Sequence, residues 1–254
     1  MEKYLPIDQA LMSSRPDEEL ELLHTTGLLA ELYPEIGAMV GFGGHGQGHK
    51  DLWWHTKQVV TQTEPCRAVR WAALFHDVGK VPTFARANGK VSFHGHEIVS
   101  ARLFDKAARR TGIEDALRKE TRFLVRHLGQ MESYERSWTD RAVRRFYLQC
   151  AKHWDALISL ACADITTKHA DRRRAHRARM KEIDDRAKKI AKEDAKLPPL
   201  PTGLGSVLIE QLEITPGPQL GRWMNQLKEA VEAGELPEQA DPEVYIEYLR
   251  GKLG

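Results

Sequence analysis

The chain has few cysteines, almost no net charge, no long apolar run and no alternating strand pattern. Its three cysteines, Cys66, Cys150 and Cys162, show no CxxC spacing. That argues against a disulfide framework or a zinc ribbon and points to reduced thiols in a cytoplasmic compartment. No stretch approaches the roughly 20 apolar residues that cross a bilayer, so no membrane contact is expected. The opening "MEKYLPIDQALMSSRPDEELELL" is acidic, without the basic start and apolar centre of a secretory signal. With a formal net charge of +2 over 254 residues, any affinity for nucleic acid must come from local clustering. Only "KVSF" at 90–93 suits a short extended piece.

What is present is helix, and the fold class is expected to be all-α. In "PDEELELLHTTGLLAELYPEI", Pro16 and the acidic residues after it start a helix that Gly27 interrupts. The glycine-rich "GAMVGFGGHGQGHKD" is a loop. Helical runs are predicted at about 51–63, 66–78, 95–110, 114–129, 139–152 and 153–170, then a charged one to about 194. "KLPPLPTGLG", ending at Gly205, forbids regular helix and suits a linker or packed turn. The expected organisation is therefore a core domain over 1–195 and a small helical tail over 196–254. In the tail, Leu220, Trp223, Met224, Leu227 and Val231 recur at helical spacing as one apolar face.

Apolar helices that end in ionisable groups carry the chemistry. "DLWWHTKQVV" holds His55, "WAALFHD" ends in His76 and Asp77, and "DALISLACAD" ends in Asp164. Singly, each is explained as a hydrogen-bonded boundary histidine or a helix-end carboxylate. Together they bring two imidazoles and two carboxylates from three helices to apolar faces. Such an N/O donor set suits a divalent ion (Mn, Fe, Co, Ni, Zn or Mg) rather than a closed structural zinc site. Water at an open metal position is acidified and can attack phosphorus.

This His…His-Asp…Asp order resembles the HD superfamily of metal-dependent phosphohydrolases. "HDVGK" with "PTF", "GKVSFHGHE" and "ETRFLVRHL" is similar to the HD domain of bacterial CCA-adding tRNA nucleotidyltransferases, and "ITPGPQLGRWMNQLKEAVEAGELP" resembles their helical tail. The glycine-rich strand motif and paired aspartates of the nucleotidyltransferase head are missing, so nucleotide addition is not expected. The resemblance implies an all-α HD-domain helical bundle with metal ligation by His55, His76, Asp77 and Asp164. It implies a second ion on His96 and His127, bridged by Asp77; His94 competes with His96. Lys80 then reaches a phosphate oxygen, and Lys168, four residues beyond Asp164 on the same helix, is a second candidate cation where relatives tend to carry arginine. Glu97 beside His96 either orients a ligand or is an ordinary first-turn glutamate.

Residues 168–192 carry eleven basic residues against four acidic ones. Arg172 to Arg179 have few acidic neighbours and could gather RNA phosphates. Beyond residue 180, pairs such as Glu182–Arg186 and Asp184–Lys188 fit a solvated helix. The expected function is hydrolysis of 2′,3′-cyclic phosphate, 2′-phosphate or 3′-phosphate groups on nucleotides or RNA ends. The alternatives are a nucleotidase or signalling-nucleotide hydrolase and, in another class, a non-catalytic tRNA- or RNA-binding module.

Overall fold

The computed structural model describes residues 3–43, 51–195 and 198–253. Residues 44–50 of the glycine-rich loop, and 196 and 197 of the proline-rich stretch, lie outside the described residues. The fold is all-α apart from one small hairpin, and it divides into two compact units, Met1–Lys188 and Lys189–Gly254.

The first unit opens with α1 (Leu5–Met12), α2 (Pro16–Thr25), α3 (Leu28–Leu32) and α4 (Pro34–Gly37). The interruption expected at Gly27 is there, at φ +81°. Then come α5 (Leu52–Gln62), α6 (Arg67–Phe75) and the single turn α7 (Lys80–Thr83). Strands β1 (Ala85–Ala87) and β2 (Lys90–Ser92) pair antiparallel, with Ala85 opposite Ser92. Asn88 and Gly89 join them, both at positive φ, the backbone a two-residue hairpin turn needs. The extended piece predicted at 90–93 is thus one arm of a hairpin.

Helix α8 (His96–Thr111) and helix α9 (Asp115–Glu132) pack on each other as a helical hairpin. Gly112, at φ +84°, closes α8: its N–H and that of Ile113 both donate to Ala108 O, at 3.0 and 2.9 Å. Next are α10 (Asp140–Cys150), a 3₁₀ turn at Ala151–His153, α11 (Trp154–Ala163) and α12 (Ala170–Asp194). The second unit contains α13 (Leu204–Gln211), α14 (Pro218–Glu232) and α15 (Pro242–Leu253). There Leu227 and Val231 of the predicted apolar face are buried with Leu204, Leu208 and Tyr245, and Leu220, Trp223 and Met224 pack at the margin.

Helix α6 is the centre of the first unit and packs against α1, α5, α8, α9 and α11. Every residue from Ala68 to Phe75 is buried. Trp71 and Phe75 meet Tyr33 and Phe104 in tilted and edge-to-face contacts at ring separations of 5.1–6.4 Å. Burying each such side chain contributes about 1.5–3 kcal/mol. Even Arg70 is inside, its guanidinium donating to the carbonyls of Leu11, Ser13 and Thr63. A helix enclosed this completely delivers the His76–Asp77 pair after it to a fixed, dry position.

Candidate metal centre

Helix α5 starts at Asp51, whose Oδ1 accepts from Trp54 N at 2.8 Å. One turn on, His55 turns inward among buried Trp53, Val59 and Val60. His76 and Asp77 follow the end of α6, both buried, and Asp164 follows the end of α11. The four side chains converge. His55 Nε2 lies 3.2 Å from His76 Nε2, 3.0 Å from Asp164 Oδ1 and 3.5 Å from Asp77 Oδ2. His76 Nε2 lies 3.3 Å from Asp164 Oδ1 and 3.4 Å from Asp77 Oδ2.

The other ring nitrogens are already engaged. His76 Nδ1 donates to Ala73 O at 2.7 Å, and His55 Nδ1 bonds Thr166 Oγ1 at 2.8 Å. With its proton on Nδ1, a neutral His76 presents a lone pair at Nε2. Among the described residues, buried Asp164 Oδ1 makes no hydrogen bond despite the two imidazoles beside it. Electron-rich atoms therefore face one another around a common point, an arrangement that a cation stabilises and that is repulsive without one. One donor atom each from His55, His76 and Asp164 fall within 4.8 Å of one another, making a candidate site for a metal ion.

Charge follows the same pattern. Burial works against ionised Asp77, but His76, Lys80 and His55 outweigh it and hold the carboxyl far below the usual range. Asp164 behaves likewise, burial being overcome by His76 and His55. Burial disfavours protonated His76, yet Asp77 and Asp164 raise it well above an ordinary imidazole. A proton thus takes the place of a cation among these ligands, and an incoming metal must displace it.

Lys80 and His96 border the centre. Lys80 Nζ pairs with Asp77 Oδ2 at 2.6 Å and lies 5.9 Å from the Phe93 ring centre. Burial opposes its charge, but Asp77 and Asp164 raise its pKa. His96 Nδ1 donates to Phe93 O at 3.0 Å, and its Nε2 stands 3.6 Å from Asp77 Oδ1. Two cavities adjoin the centre. One, of about 240 Å³, is lined by Leu52, His55, Asp77, Lys80, Phe93, Glu132 and Asp164. The other, of about 70 Å³, lies between His76, Asp77 and Lys80 on one side and His96, Glu97, Gly129 and Glu132 on the other.

A family model for the HD domain matches residues 64–195, half of the sequence, including His76, Asp77 and Asp164. The chain belongs to the HD-domain family. Among similar sequences is the CC-adding tRNA nucleotidyltransferase of Thermus thermophilus, 30% identical over 95% of this chain and 55% of the relative. The A-adding tRNA nucleotidyltransferase of Deinococcus radiodurans is 29% identical over 89% of this chain and 52% of the relative. A multifunctional CCA protein of Pseudomonas aeruginosa is 39% identical over 29% of this chain and 19% of its own length. This HD-domain chain spans about half the length of the first two.

Three sequence expectations are corrected: the places of Lys168 and His127, and one ion pair of the basic run. Helix α11 ends at Ala163, so Lys168 is not on a helix with Asp164; it is exposed and lines neither cavity. Three β-branched residues, Ile165, Thr166 and Thr167, follow Asp164 and disfavour continued helix; Thr166 instead turns in to His55. His127 lies on another face of α9 from Leu128, Gly129 and Glu132, its ring stacked on Phe123 at 4.1 Å and its Nε2 3.0 Å from Gln149 Nε2. His94 is exposed. In the basic run, Arg173 donates to Thr167 O at 2.6 Å, Arg174 pairs with Asp171, and Arg179 lies 3.3 Å from His176 Nδ1. Arg172 and Arg177 are exposed and hold no ion pair among the described residues. Lys188 pairs with Asp184 as expected, but Arg186 takes Asp140 and Glu182 takes Arg136.

Three contributors escaped the sequence reading. Glu132 lines both cavities; burial and the neighbouring Asp164 and Asp77 charges raise its pKa well above the carboxylate range. Its signal is the i, i+3, i+4, i+7 spacing Val125, Leu128, Gly129, Glu132. Thr166 orients His55. Gly79 supplies space: at φ −69° any residue is comfortable, but a Cβ there would sit 2.2 Å from His96 O and 2.7 Å from Ser100 N. Its bare backbone lets the "HDVGK" turn press against the start of α8, with Gly79 N donating to Ser100 Oγ at 2.8 Å.

Proposed function

We propose that this chain is a metal-dependent phosphohydrolase acting on 2′,3′-cyclic phosphate, 2′-phosphate or 3′-phosphate groups of nucleotides or RNA ends. The observation that supports it most is the convergence of His55, His76, Asp77 and Asp164 on one point, with Asp164 Oδ1 buried and unbonded. These four residues would hold the divalent ion. When bound there, it supplies Lewis-acid polarisation of a phosphoryl oxygen and acidification of water. His55 and His76 are oriented by Thr166 and Ala73 O, so their ligand nitrogens are held in place before any ion arrives.

Lys80 carries the substrate side. Held by Asp77 at the edge of the 240 Å³ cavity, its ammonium binds a phosphate oxygen and offsets negative charge as the P–O bond breaks. Leu52 and Phe93 give the cavity apolar walls against which a ribose packs. Its size suits a terminal ribose phosphate. His96, beside the outer oxygen of Asp77, is half of a second ion site; with His127 turned away, the reading carries one ion. Lys168 has no part in it. Exposed Arg172 and Arg177, shortly after Asp164 in the chain, favour an RNA end over a free nucleotide as substrate.

The test is turnover of bis-p-nitrophenyl phosphate and of 2′,3′-cyclic AMP with Mn²⁺, Co²⁺ or Ni²⁺, by the full chain and by Asp77→Ala. Metal-dependent release lost in the variant is the expected result. Equal turnover in the variant removes the hydrolase reading, and metal-independent RNA binding by an inactive wild type favours a binding module.

A further inference from the structure

Helices α8 and α9 contain six arginines, and the structure sorts them into two sets. Arg109 pairs with Asp105 at 3.1 Å, Arg110 with Glu35 at 2.9 Å, and Arg118 with Asp115 at 2.7 Å. Arg102, Arg122 and Arg126 pair with no carboxylate among the described residues, and all three line one cavity of about 520 Å³. Lys119 lies on the same rim. Arg122 and Arg126 are one turn apart, a like-charge spacing that is destabilising unless something anionic relieves it. Burial, with help from Arg126 and His153, lowers the His127 pKa and so favours the neutral imidazole. Its ring lies stacked on Phe123 at 4.1 Å and an interplanar angle of 26°, and both rings line the cavity.

We infer that this cavity is a second ligand site, separate from the metal centre, that takes a phosphorylated nucleoside. Unpaired guanidiniums supply forked donors for phosphate oxygens. The Phe123–His127 wall supplies a flat apolar surface on which a base stacks. A volume of about 520 Å³ lies within the roughly 300–1,000 Å³ of small-molecule sites. The metal-centre cavity has Lys80 as its cation and the ligand carboxylates behind it; this one is lined by three arginines and Lys119 beside apolar and aromatic residues, with no carboxylate among its lining residues. The inference does not depend on the hydrolase reading and survives its failure.

The ligand is a free nucleotide or a residue within a strand, and the experiment separates the two. Full-length protein in metal-free buffer is titrated with adenosine 5′-phosphate, with inorganic phosphate and with a short labelled single-stranded DNA. Binding of either nucleotide probe should weaken by about tenfold or more in Arg122→Gln/Arg126→Gln, the loss expected for charge-assisted bonds to phosphate. Tight binding of adenosine 5′-phosphate identifies the free nucleotide, and binding of the strand alone identifies a nucleic acid. Phe123→Leu should reduce the preference for adenosine 5′-phosphate over phosphate. Arg102→Gln, on the other helix, repeats the test should the double variant unfold. None of these changes should alter turnover of bis-p-nitrophenyl phosphate. Equal affinity for phosphate and adenosine 5′-phosphate, unchanged affinity in the arginine variants, or no binding of any probe would overturn the inference.

Discussion

Helix α9 serves two sites of opposite electrical character. The face bearing Leu128, Gly129 and Glu132 closes a site built from acceptors, where two imidazole nitrogens and two carboxylates crowd together. The face bearing Phe123, Arg126 and His127 closes a site built from donors, with guanidiniums that no acid neutralises among the described residues. Elsewhere on α8 and α9, Arg109 pairs with Asp105 and Arg118 with Asp115. Like charges gathered around one cavity, with no acidic partner among the described residues, indicate the sign of the ligand that the cavity suits. The first site calls for a cation, the second for an anion.

The strongest way to break this comparison is to disable one site and read both. Asp77→Asn should lower metal-dependent phosphoesterase turnover by more than about a hundredfold, beyond the usual cost of losing an outer-shell partner, and leave adenosine 5′-phosphate binding unchanged. Calorimetry on the same sample checks the second half.

Two glycines on the wall of the metal centre offer the next contrast. At Gly79 an added methyl meets backbone of α8, so Gly79→Ala should cost about 3 kcal/mol, as overpacking against atoms that cannot yield does. At Gly129 it meets the end of the Glu97 side chain, 2.3 Å away but free to rotate. There Gly129→Ala should stay within about 1 kcal/mol, helped by the helix preference for alanine. Urea unfolding separates the two; similar costs would mean that the turn and α8 do not meet as described.

Removing an orienting partner is milder. Thr166→Val keeps the shape but frees His55 Nδ1, and metal affinity should fall about tenfold with folding unaffected. The smallest effect is in pH, where the sites should respond in opposite directions. His76 holds its proton above the ordinary imidazole range, so metal uptake releases that proton and strengthens as pH rises through neutrality. His127 is lowered, so it gains its charge only in acid, and nucleotide binding in the cleft strengthens as pH falls. Titrations at several pH values read both slopes; slopes of one sign would contradict the assignment.

Much of the metal centre was legible because burial leaves a local trace. "WAALFHD" and "DALISLACAD" are apolar helices that end in ionisable groups, and those groups do meet. The helix boundaries were legible where glycine, proline or an acidic first turn marks them, as at Pro16 and Gly27. Lys168 was misread because three β-branched residues end α11 earlier than its apolar pattern suggests. The hairpin at 85–92 carries its own signal in "ANGK", where Asn88-Gly89 is a two-residue turn. His127 and Glu132 show a deeper difficulty. Which face of a helix looks at a distant site depends on how that helix is rotated in the bundle, and α9 offers polar groups on more than one face. The arginine cleft was invisible for the same reason, since its members come from two helices and are distinguished only by what they fail to pair with.

The most direct test of the account is calorimetric titration of Mn²⁺ into metal-stripped full-length protein, alongside Asp164→Asn. The expected result is saturable uptake of one ion per chain, lost in the variant. Uptake that Asp164→Asn leaves intact, or none with Mn²⁺, Co²⁺, Ni²⁺ or Zn²⁺, would contradict a cation centre at His55, His76, Asp77 and Asp164.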